Sequence, residues 1–306
     1  MSITLIENFR AVFYAPFYAP VALGAYETEG VDVTITTSSD PAKTIYALTA
    51  GEGEVSWGGL SRLMGNLEKY PARAPVAFCE VIARDPFFLL GHEPNPGFQF
   101  ADLLGKKVAT VAEVPAPWMC LQYDLRLAGI DPGQIQRCPE RAMAHNVAAF
   151  CSGDIDIIQV FQPYVHDLTT AGAAHIWHTA ANRGPVTYTT LNTTRNFAER
   201  ESEVLLSMTR AVYKTQAWIA THDGHALALA VGSFFPEIPT STLAACFNCY
   251  KTLDVWSRSP LVSRAGFDWI RDAGLSNGRV ARKFTYDECV DARFAQAAVN
   301  ENPPPL

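Results

Sequence analysis

The chain has 306 residues, of which 48% are hydrophobic and 18% charged, and its formal charge is −7. That length predicts two compact lobes, or one larger α/β domain, and the apolar content excludes a disordered chain. The negative charge and the lack of a clustered Lys/Arg face exclude nucleic acid as the partner.

Short β-rich runs alternate with runs of helical length, which is typical of α/β units with mostly parallel sheets. The first part of the chain predicts strands at 3–7, 31–36, 54–57 and 75–83, and helices at 16–29, 39–50 and 60–70. Ser39-Asp40-Pro41 opens the second of these helices, since it offers a capping side chain followed by proline at the first helical position.

Residues 87–91 are apolar and run into a loop rich in Pro and Gly, which predicts a crossover into a second lobe. The pattern then predicts strands at 107–111, 135–138 and 155–160, and helices at 117–128, 142–152 and 164–171. Residues 186–192 read as a returning strand. The rest of the chain, from residue 203 onward, is predicted to be largely helical.

No apolar run approaches the ~18 residues that a membrane span needs, so we predict none. The N-terminal residues 1–6 enter a strand directly and lack the pattern of a secretory signal. The sequence as it stands predicts a cytoplasmic protein, or a periplasmic one from which a signal has been removed. We expect a monomer.

The seven cysteines are scattered through apolar or helical contexts, and we expect them to be reduced. Cys246 and Cys249 form the one C-x-x-C pair, but two ligands alone do not make a zinc site. His175 and His178 have i, i+3 spacing without a carboxylate at metal-site spacing. We therefore predict no metal and no cofactor.

Five segments, in order, resemble the type II periplasmic binding proteins, in the branch that holds sulfonate- and taurine-binding proteins and the thiamine-pyrimidine synthases of yeast. The segments are Asn8-Phe9 with the APFYAP run at 15–20, AYETEGVDV at 25–33, residues 48–56, DLLGKKVA at 102–109 and FCSGDID at 150–156. The resemblance implies an α/β Venus-flytrap fold with a ligand cleft between two lobes. It places residues 1–88 with 193–306 in one lobe, and 89–192 in the other.

Ligands of open α/β sheets sit beyond the carboxyl ends of strands, which selects the candidate binding residues. The loops after these strands are rich in aromatic residues, which suits a planar or partly apolar ligand held by stacking and a few polar anchors. The candidates are Asn8, Phe9, Arg10, Tyr14, Tyr18, Trp57, Gly58, Gly59, Glu113, Pro115, Trp118, Phe161, Gln162 and Tyr188.

Charged candidates allow two interpretations each. Arg10 or Arg84 offers a guanidinium that matches a sulfonate or carboxylate, but a salt bridge at the surface or hinge explains Arg84 better. Glu113 falls where the resembled synthases carry an acidic residue, so it can accept hydrogen bonds from a heterocycle. It can equally serve as an acid at a helix N-terminus. Replacing Glu113 or Trp57 by Ala is expected to weaken binding roughly ten-fold and to spare folding.

The resemblance also implies an enzymatic alternative, a pyrimidine-precursor synthase or an aromatic-acid decarboxylase on the same fold. The synthases use a lysine and a histidine after the third strand and a cysteine-rich run in the returning strand. Residues 57–64 contain neither Lys nor His, and residues 186–192 contain no Cys. We therefore predict a solute-binding protein, the binding component of an ABC-type importer with its permease as partner, or a cytoplasmic derivative of one.

Overall fold

The computed structural model of the protein describes residues 1–38, 40, 43–69 and 74–306. Its strands form two mixed sheets of five strands each, in the orders β2-β1-β3-β10-β4 and β7-β6-β8-β5-β9. The bounds are β1 Ser2–Glu7, β2 Asp32–Thr37, β3 Val55–Gly58, β4 Pro75–Ile82, β5 Phe88–Gly91, β6 Lys107–Ala109, β7 Gln136–Arg137, β8 Ile157–Val160, β9 His175–Thr179 and β10 Thr189–Thr194. We call the part built on the first sheet the large lobe and the part built on the second the small lobe.

Helices cover both sheets, and the segment after β10 is almost entirely helical. Their bounds are α1 Ala15–Ala22, α2 Ala25–Thr28, α3 Thr44–Ala50, α4 Leu60–Lys69, α5 Ala116–Leu127, α6 Met143–Cys151, α7 Tyr164–Thr170, α8 Arg195–Arg200, α9 Ser202–Thr221, α10 Gly224–Val231, α11 Thr240–Thr252, α12 Arg264–Ser276, α13 Tyr286–Cys289 and α14 Arg293–Glu301. No described helix is both long and apolar enough to cross a membrane.

In the large lobe, β1 pairs in parallel with both β2 and β3, as expected of βαβ units. The returning strand β10 lies between β3 and β4 and runs antiparallel to both. All eight residues of β4 are buried, which fits a strand covered on both faces. Because β10 is reversed, its N-terminal end lies at the same edge of the sheet as the C-terminal ends of β1 and β3.

The small sheet also combines two directions. Strand β6 is parallel to β7 and β8, whereas β5 is antiparallel to β8 and β9. Thus β5, predicted only as a crossover, is a full strand of the small sheet. The chain changes sheet within residues 83–87 and again within 180–188, so the lobe boundaries expected at 88 and 193 both fall inside strands.

Two further differences from the sequence prediction have local causes. The helix expected over 16–29 is broken at Leu23-Gly24, because Gly24 takes a left-handed φ of +67° that ends one helix and starts the next. Strand β9 was not predicted, and it carries His175 and His178. An irregularity in its pairing with β5 lies between them, since His175 pairs with Gly91 and His178 with Leu89. The helix cap expected at 39–41 lies outside the described residues.

An aromatic seam joins the two lobes. Phe161 follows β8 of the small lobe, and its ring meets Phe13 and Phe87 edge-on, with centroids 5.3 Å away in each case. Phe87 belongs to the first crossover and is 1% exposed. Edge-to-face packing of this kind adds about 0.5–1.5 kcal/mol per pair beyond area burial. The lobes therefore share a continuous apolar core beside the crossovers.

Candidate functional site

Three chain segments of the large lobe meet at one edge of its sheet. Asn8 immediately follows β1, Gly59 immediately follows β3, and Tyr188 immediately precedes β10. Gly59 allows the close approach, since a Cβ there would lie 3.2 Å from the carbonyl oxygen of Tyr188. The register pairs Thr190 with Gly58, which fixes this meeting point. The register of the strands alone therefore brings these three segments together.

A small enclosed space, which we call the inner cavity, lies at this edge and has a volume of about 10 Å³. Three of its lining residues have a buried polar atom without a hydrogen-bond partner, namely Asn8 Oδ1, Ser56 Oγ and Trp57 Nε1. Buried polar atoms are almost always paired, so this group requires an explanation. The lining residues are Asn8, Thr44, Ile45, Ser56, Trp57, Gly58, Gly59, Arg62 and Asn192.

A larger space of about 180 Å³, which we call the outer pocket, lies on the other side of Arg62. Helices α3 and α4 of the large lobe form most of its wall. The small lobe adds Pro115, from the loop between β6 and α5, and the loop after α12 adds Arg279. The lining residues are Tyr46, Ser61, Arg62, Gly65, Asn66, Lys69, Pro115 and Arg279.

The outer pocket is positively charged. Among the described residues it is lined by Arg62, Lys69 and Arg279 and by no carboxylate. Burial lowers the pKa of Arg62, and the nearby charge of Arg279 lowers it too, while Tyr14, Tyr188 and Asp40 act in the opposite direction. A cation that is partly desolvated beside a second cation is stabilised by any anion that enters. The outer pocket can therefore hold an acid group.

The other two cations have few partners. Lys69 Nζ lies 3.5 Å from the hydroxyl oxygen of Tyr46. The exposed side chain of Arg279 forms no ion pair within the described part of the chain. Asp40 is paired with Lys43 at 3.2 Å. Within the described residues, Lys69 and Arg279 therefore have no carboxylate as an ion-pair partner.

Sequence reasoning placed Trp57 at the end of a strand, facing ligand, and the structure places it within β3 with no exposed surface. Its indole stacks on Phe17 with centroids 4.7 Å apart and also contacts Tyr14 and Tyr18. Trp57 thus forms a packed aromatic layer behind the site with Tyr14, Phe17 and Tyr18. It is a core residue that also lines the inner cavity.

In the structure, Arg10 and Tyr18 both donate hydrogen bonds to a buried carboxylate. Glu7, at the end of β1, is fully buried and accepts hydrogen bonds from Arg10 Nη2 at 2.8 Å, Tyr18 Oη at 2.5 Å and Thr37 Oγ1 at 2.5 Å. Arg84, the other arginine considered, lies 3.8 Å from Asp254. Arg10 therefore stabilises the β1–α1 loop through Glu7. Neither Arg10 nor Arg84 lines the inner cavity or the outer pocket.

Nearby, Asn8 Nδ2 donates to the hydroxyl oxygen of Tyr14 at 3.3 Å, which orients the amide so that Oδ1 remains unpartnered. Burial raises the pKa of Tyr14 and of Tyr188. Both phenols therefore stay protonated. Phe9 packs edge-on against Tyr14 at 5.5 Å, behind the loop.

Most small-lobe candidates have structural partners. Glu113 accepts a hydrogen bond from the backbone N–H of Met143 at 2.7 Å, which caps the start of α6. That contact matches the second interpretation of Glu113. The ring of Trp118 lies 4.9 Å from the guanidinium of Arg137. Of the candidates from this part of the chain, the outer pocket includes Pro115.

Gln162 and Phe161 connect the lobes instead of lining a pocket. The backbone N–H of Gln162 donates to Tyr250 Oη at 2.9 Å, on α11 of the large lobe. Its side-chain oxygen accepts from the N–H of His166 at 2.9 Å, near the start of α7. These bonds, together with the aromatic seam, fix the end of β8 against the large lobe.

Sequence reasoning missed Arg62, Lys69 and Arg279. Arg62 follows Gly58-Gly59 by three residues, so it lies in the first turn of α4, where its side chain can return to the strand end. That signal was available in the sequence. Arg279 is 217 residues further along the chain, in the loop after α12, and only the packing of α12 brings it to the outer pocket.

The crossovers meet at one buried cation. Arg183, in the second crossover, lies 2.6 Å from Asp85 in the first and also pairs with Asp124 on α5. Its guanidinium lies 4.8 Å from the ring centroid of Trp269 on α12. Burial raises the pKa of both aspartates, and Arg183 opposes that shift. One side chain thus connects both crossovers with a helix from each lobe.

A family model described as NMT1/THI5 like matches residues 13–226, more than half of the chain. A curated relative, "Putative binding protein YtlA" of Bacillus subtilis, is 24% identical over 302 residues, covering 98% of this chain and 90% of the relative. These matches confirm the family resemblance expected from the five ordered segments.

Solved structures with the same architecture include binding proteins and an enzyme. The periplasmic aliphatic sulphonate binding protein SsuA of Escherichia coli is similar with a TM-score of 0.72 and 16% identity, covering 94% of this chain and 97% of that one. The desulfurization enzyme DSZB is similar with a TM-score of 0.72 and 12% identity, covering 99% of each chain. At such identities the likeness establishes the fold, and it confirms the predicted two-lobed fold class.

Proposed function

Because the chain belongs to the NMT1/THI5-like family and has the two-lobed fold of periplasmic binding proteins, we propose that it binds a small organic anion between its lobes. The acid group, a sulfonate or carboxylate, occupies the outer pocket. Arg62 and Arg279 bind its oxygens, and Lys69 adds a third positive charge.

The observation that carries this proposal is that, of the residues the structure describes, three cations and no carboxylate line this pocket. Guanidinium groups bind carboxylates and sulfonates through two parallel hydrogen bonds, which gives orientation as well as energy. The walls come from both sides of the molecule, since Pro115 belongs to the small lobe and Arg62 to the large one. A ligand there contacts both lobes and favours the closed arrangement over an open one.

We further propose that residues 83–87 and 180–188 are the hinge. Both segments connect the sheets, and Arg183 pairs with Asp85 across them. Bending in such proteins is confined to a few residues between rigid lobes. The large lobe then comprises residues 1–82 and 189–306 and the small lobe residues 88–179, which moves each predicted boundary to the end of a strand.

Calorimetry with a panel of small sulfonates and carboxylates tests the proposal. We expect Arg62→Met and Arg279→Met each to weaken binding about 10- to 100-fold, since a charged hydrogen bond contributes about 1.5–3 kcal/mol and 1.4 kcal/mol is ten-fold. Arg141→Met, which removes an exposed arginine outside both pockets, is the control and should bind like the parent. Equal affinity in all three variants would refute the placement of the acid group.

A binding protein releases its ligand chemically unchanged, whereas an enzyme converts it to a product. DSZB shows that the fold also supports an enzyme, but among the described residues the two pockets are lined by no cysteine or histidine. We propose a binding component that passes its ligand to an ABC permease, or a cytoplasmic derivative, acting as a monomer. Mass spectrometry of ligand recovered after prolonged incubation should find it intact, and a product would favour the enzymatic alternative.

A further inference from the structure

Helix α5 of the small lobe has two faces that pack against different lobes. Leu121 and Leu125 are buried in the apolar cluster of the small lobe. Met119, Tyr123 and Arg126 follow one another at i, i+4 and i+7, so they lie along one stripe on the opposite side of the helix. That stripe packs against α12, which belongs to the large lobe.

Three interactions join this stripe to α12, and we call them together the α5–α12 contact. The ring of Tyr123 meets the ring of Trp269 edge-on, with centroids 5.2 Å apart. Arg126 Nη1 donates a hydrogen bond to Asn277 Oδ1 at 2.9 Å, at the end of α12. Asn277 Nδ2 donates in turn to the backbone carbonyl oxygen of Met119 at 3.1 Å. Both ends of the Asn277 amide therefore bind the small lobe.

The α5–α12 contact lies between the crossovers and the outer pocket. At one end, the ring of Trp269 also lies against the guanidinium of Arg183 in the second crossover, 4.8 Å from its carbon. At the other end, Asn277 precedes Arg279 by two residues, and Pro115 is the N-cap of α5. Arg279 and Pro115 both line the outer pocket. The contact therefore joins the two lobes beside the pocket, through side chains that do not line it.

Building on the proposed function, we propose that the α5–α12 contact holds the two lobes closed over the outer pocket. A rotation about the crossovers moves α5 with the small lobe and α12 with the large lobe, so opening breaks the ring pair and the hydrogen bonds between them. Apparent affinity rises with the fraction of molecules in the binding-competent arrangement. The contact therefore strengthens anion binding although its side chains do not touch the anion. Asn277 is a positioning residue, since its bonds to α5 also fix the start of the loop that carries Arg279.

Replacing Tyr123 and Arg126 together by Ala tests this, because alanine favours the helix and removes only the side chains of the stripe. The probe is ethanesulfonate or benzoate, whichever the parent binds more tightly. We expect its affinity to fall about ten-fold, since a ring pair and a charged hydrogen bond together provide about that factor. The loss should appear as faster dissociation in stopped-flow displacement. X-ray scattering of the ligand-free variant should give a larger radius of gyration than that of the ligand-free parent.

Leu127→Ala is the matched control, because Leu127 is the next residue of α5 and its side chain is 65% exposed. It should match the parent in affinity, dissociation rate and radius of gyration. Arg126→Ala alone should change all three in the same direction as the double variant, but less. Equal radii of gyration for the parent and the double variant, or an unchanged dissociation rate, would overturn the role of the contact and leave anion binding in place. Failure of both probes to bind the parent at millimolar concentration would instead overturn the proposed function, and the scattering comparison would still decide whether the contact holds the lobes together.

Discussion

Replacing Arg183 by Met tests the buried ion cluster at the crossovers. The side chains of Arg183, Asp85 and Asp124 are 9%, 1% and 8% exposed, so solvent screens their interactions little. The substitution keeps much of the volume beside Trp269 but leaves two buried carboxylates without their cation. Removing one partner of a buried ion pair costs about 3–5 kcal/mol. We expect a loss in that range, a large fraction of a typical stability of about 5–15 kcal/mol.

The loss should also depend on pH. Burial raises the pKa of Asp85 and Asp124 even with Arg183 present, and removing the guanidinium raises both further. A carboxyl whose folded pKa lies above its unfolded value contributes stability at low pH and loses it as pH rises through the folded pKa. The variant should therefore be least impaired in acid, and the difference from the parent should grow toward neutral pH.

Urea unfolding at several pH values measures the effect, with Arg258→Met as control. Arg258 pairs with Asp254, but its side chain is 75% exposed, so its removal should cost less than about 1 kcal/mol. Adding Asp124→Asn to Arg183→Met should restore part of the stability, since one uncompensated charge is then absent. A loss below about 1 kcal/mol at neutral pH, or a loss independent of pH, would refute this account of the cluster.

Three other substitutions or measurements follow from buried groups. Trp57→Ala should cost about 3–5 kcal/mol of stability, because a fully buried indole is lost from an aromatic stack; denaturant unfolding showing less than 1 kcal/mol would contradict this. Burial raises the pKa of Glu80 to about 7, so the parent should lose up to about 3 kcal/mol relative to Glu80→Gln as pH rises from 4.5 through 7. A stability difference between the parent and Glu80→Gln that is the same at pH 5 and pH 8 would exclude a raised pKa of Glu80. Thiol titration in denaturant should find seven free thiols, as the structure has them, and a Cys246–Cys249 disulfide would argue against that.

The strands of the large lobe were predicted from short β-rich runs that alternate with runs of helical length, and their bounds agree with the structure to within about three residues. Periodicity did not find β9, a short edge strand whose residues are mostly exposed or half-buried. Nor could it separate β5 from a crossover, since four buried apolar residues fit either. The ambiguity was resolved by pairing with β8, a contact that the sequence alone does not specify.

Of the candidate residues selected from strand ends, four line the inner cavity and Pro115 lines the outer pocket. Asn8, Trp57, Gly58 and Gly59 line the inner cavity because the rule about strand ends follows from sheet geometry. The sequence cannot tell whether a loop aromatic faces solvent or its own core. The position of Arg279 depends on the packing of α12 after more than 200 intervening residues, which no local pattern encodes.

The position of β10 in the middle of the large sheet has a consequence for synthesis of the chain. Strand β4 is complete at residue 82, yet its sheet partner β10 begins at Thr189, after the whole small lobe has been made. Until then one ladder of a fully buried strand is open, a state that favours aggregation or non-native pairing. The five strands of the small lobe are contiguous in the chain, so this lobe can fold first and bring β10 back to pair with β4. The large sheet, which contains the N-terminal strand, therefore cannot be completed before the small lobe has been synthesised.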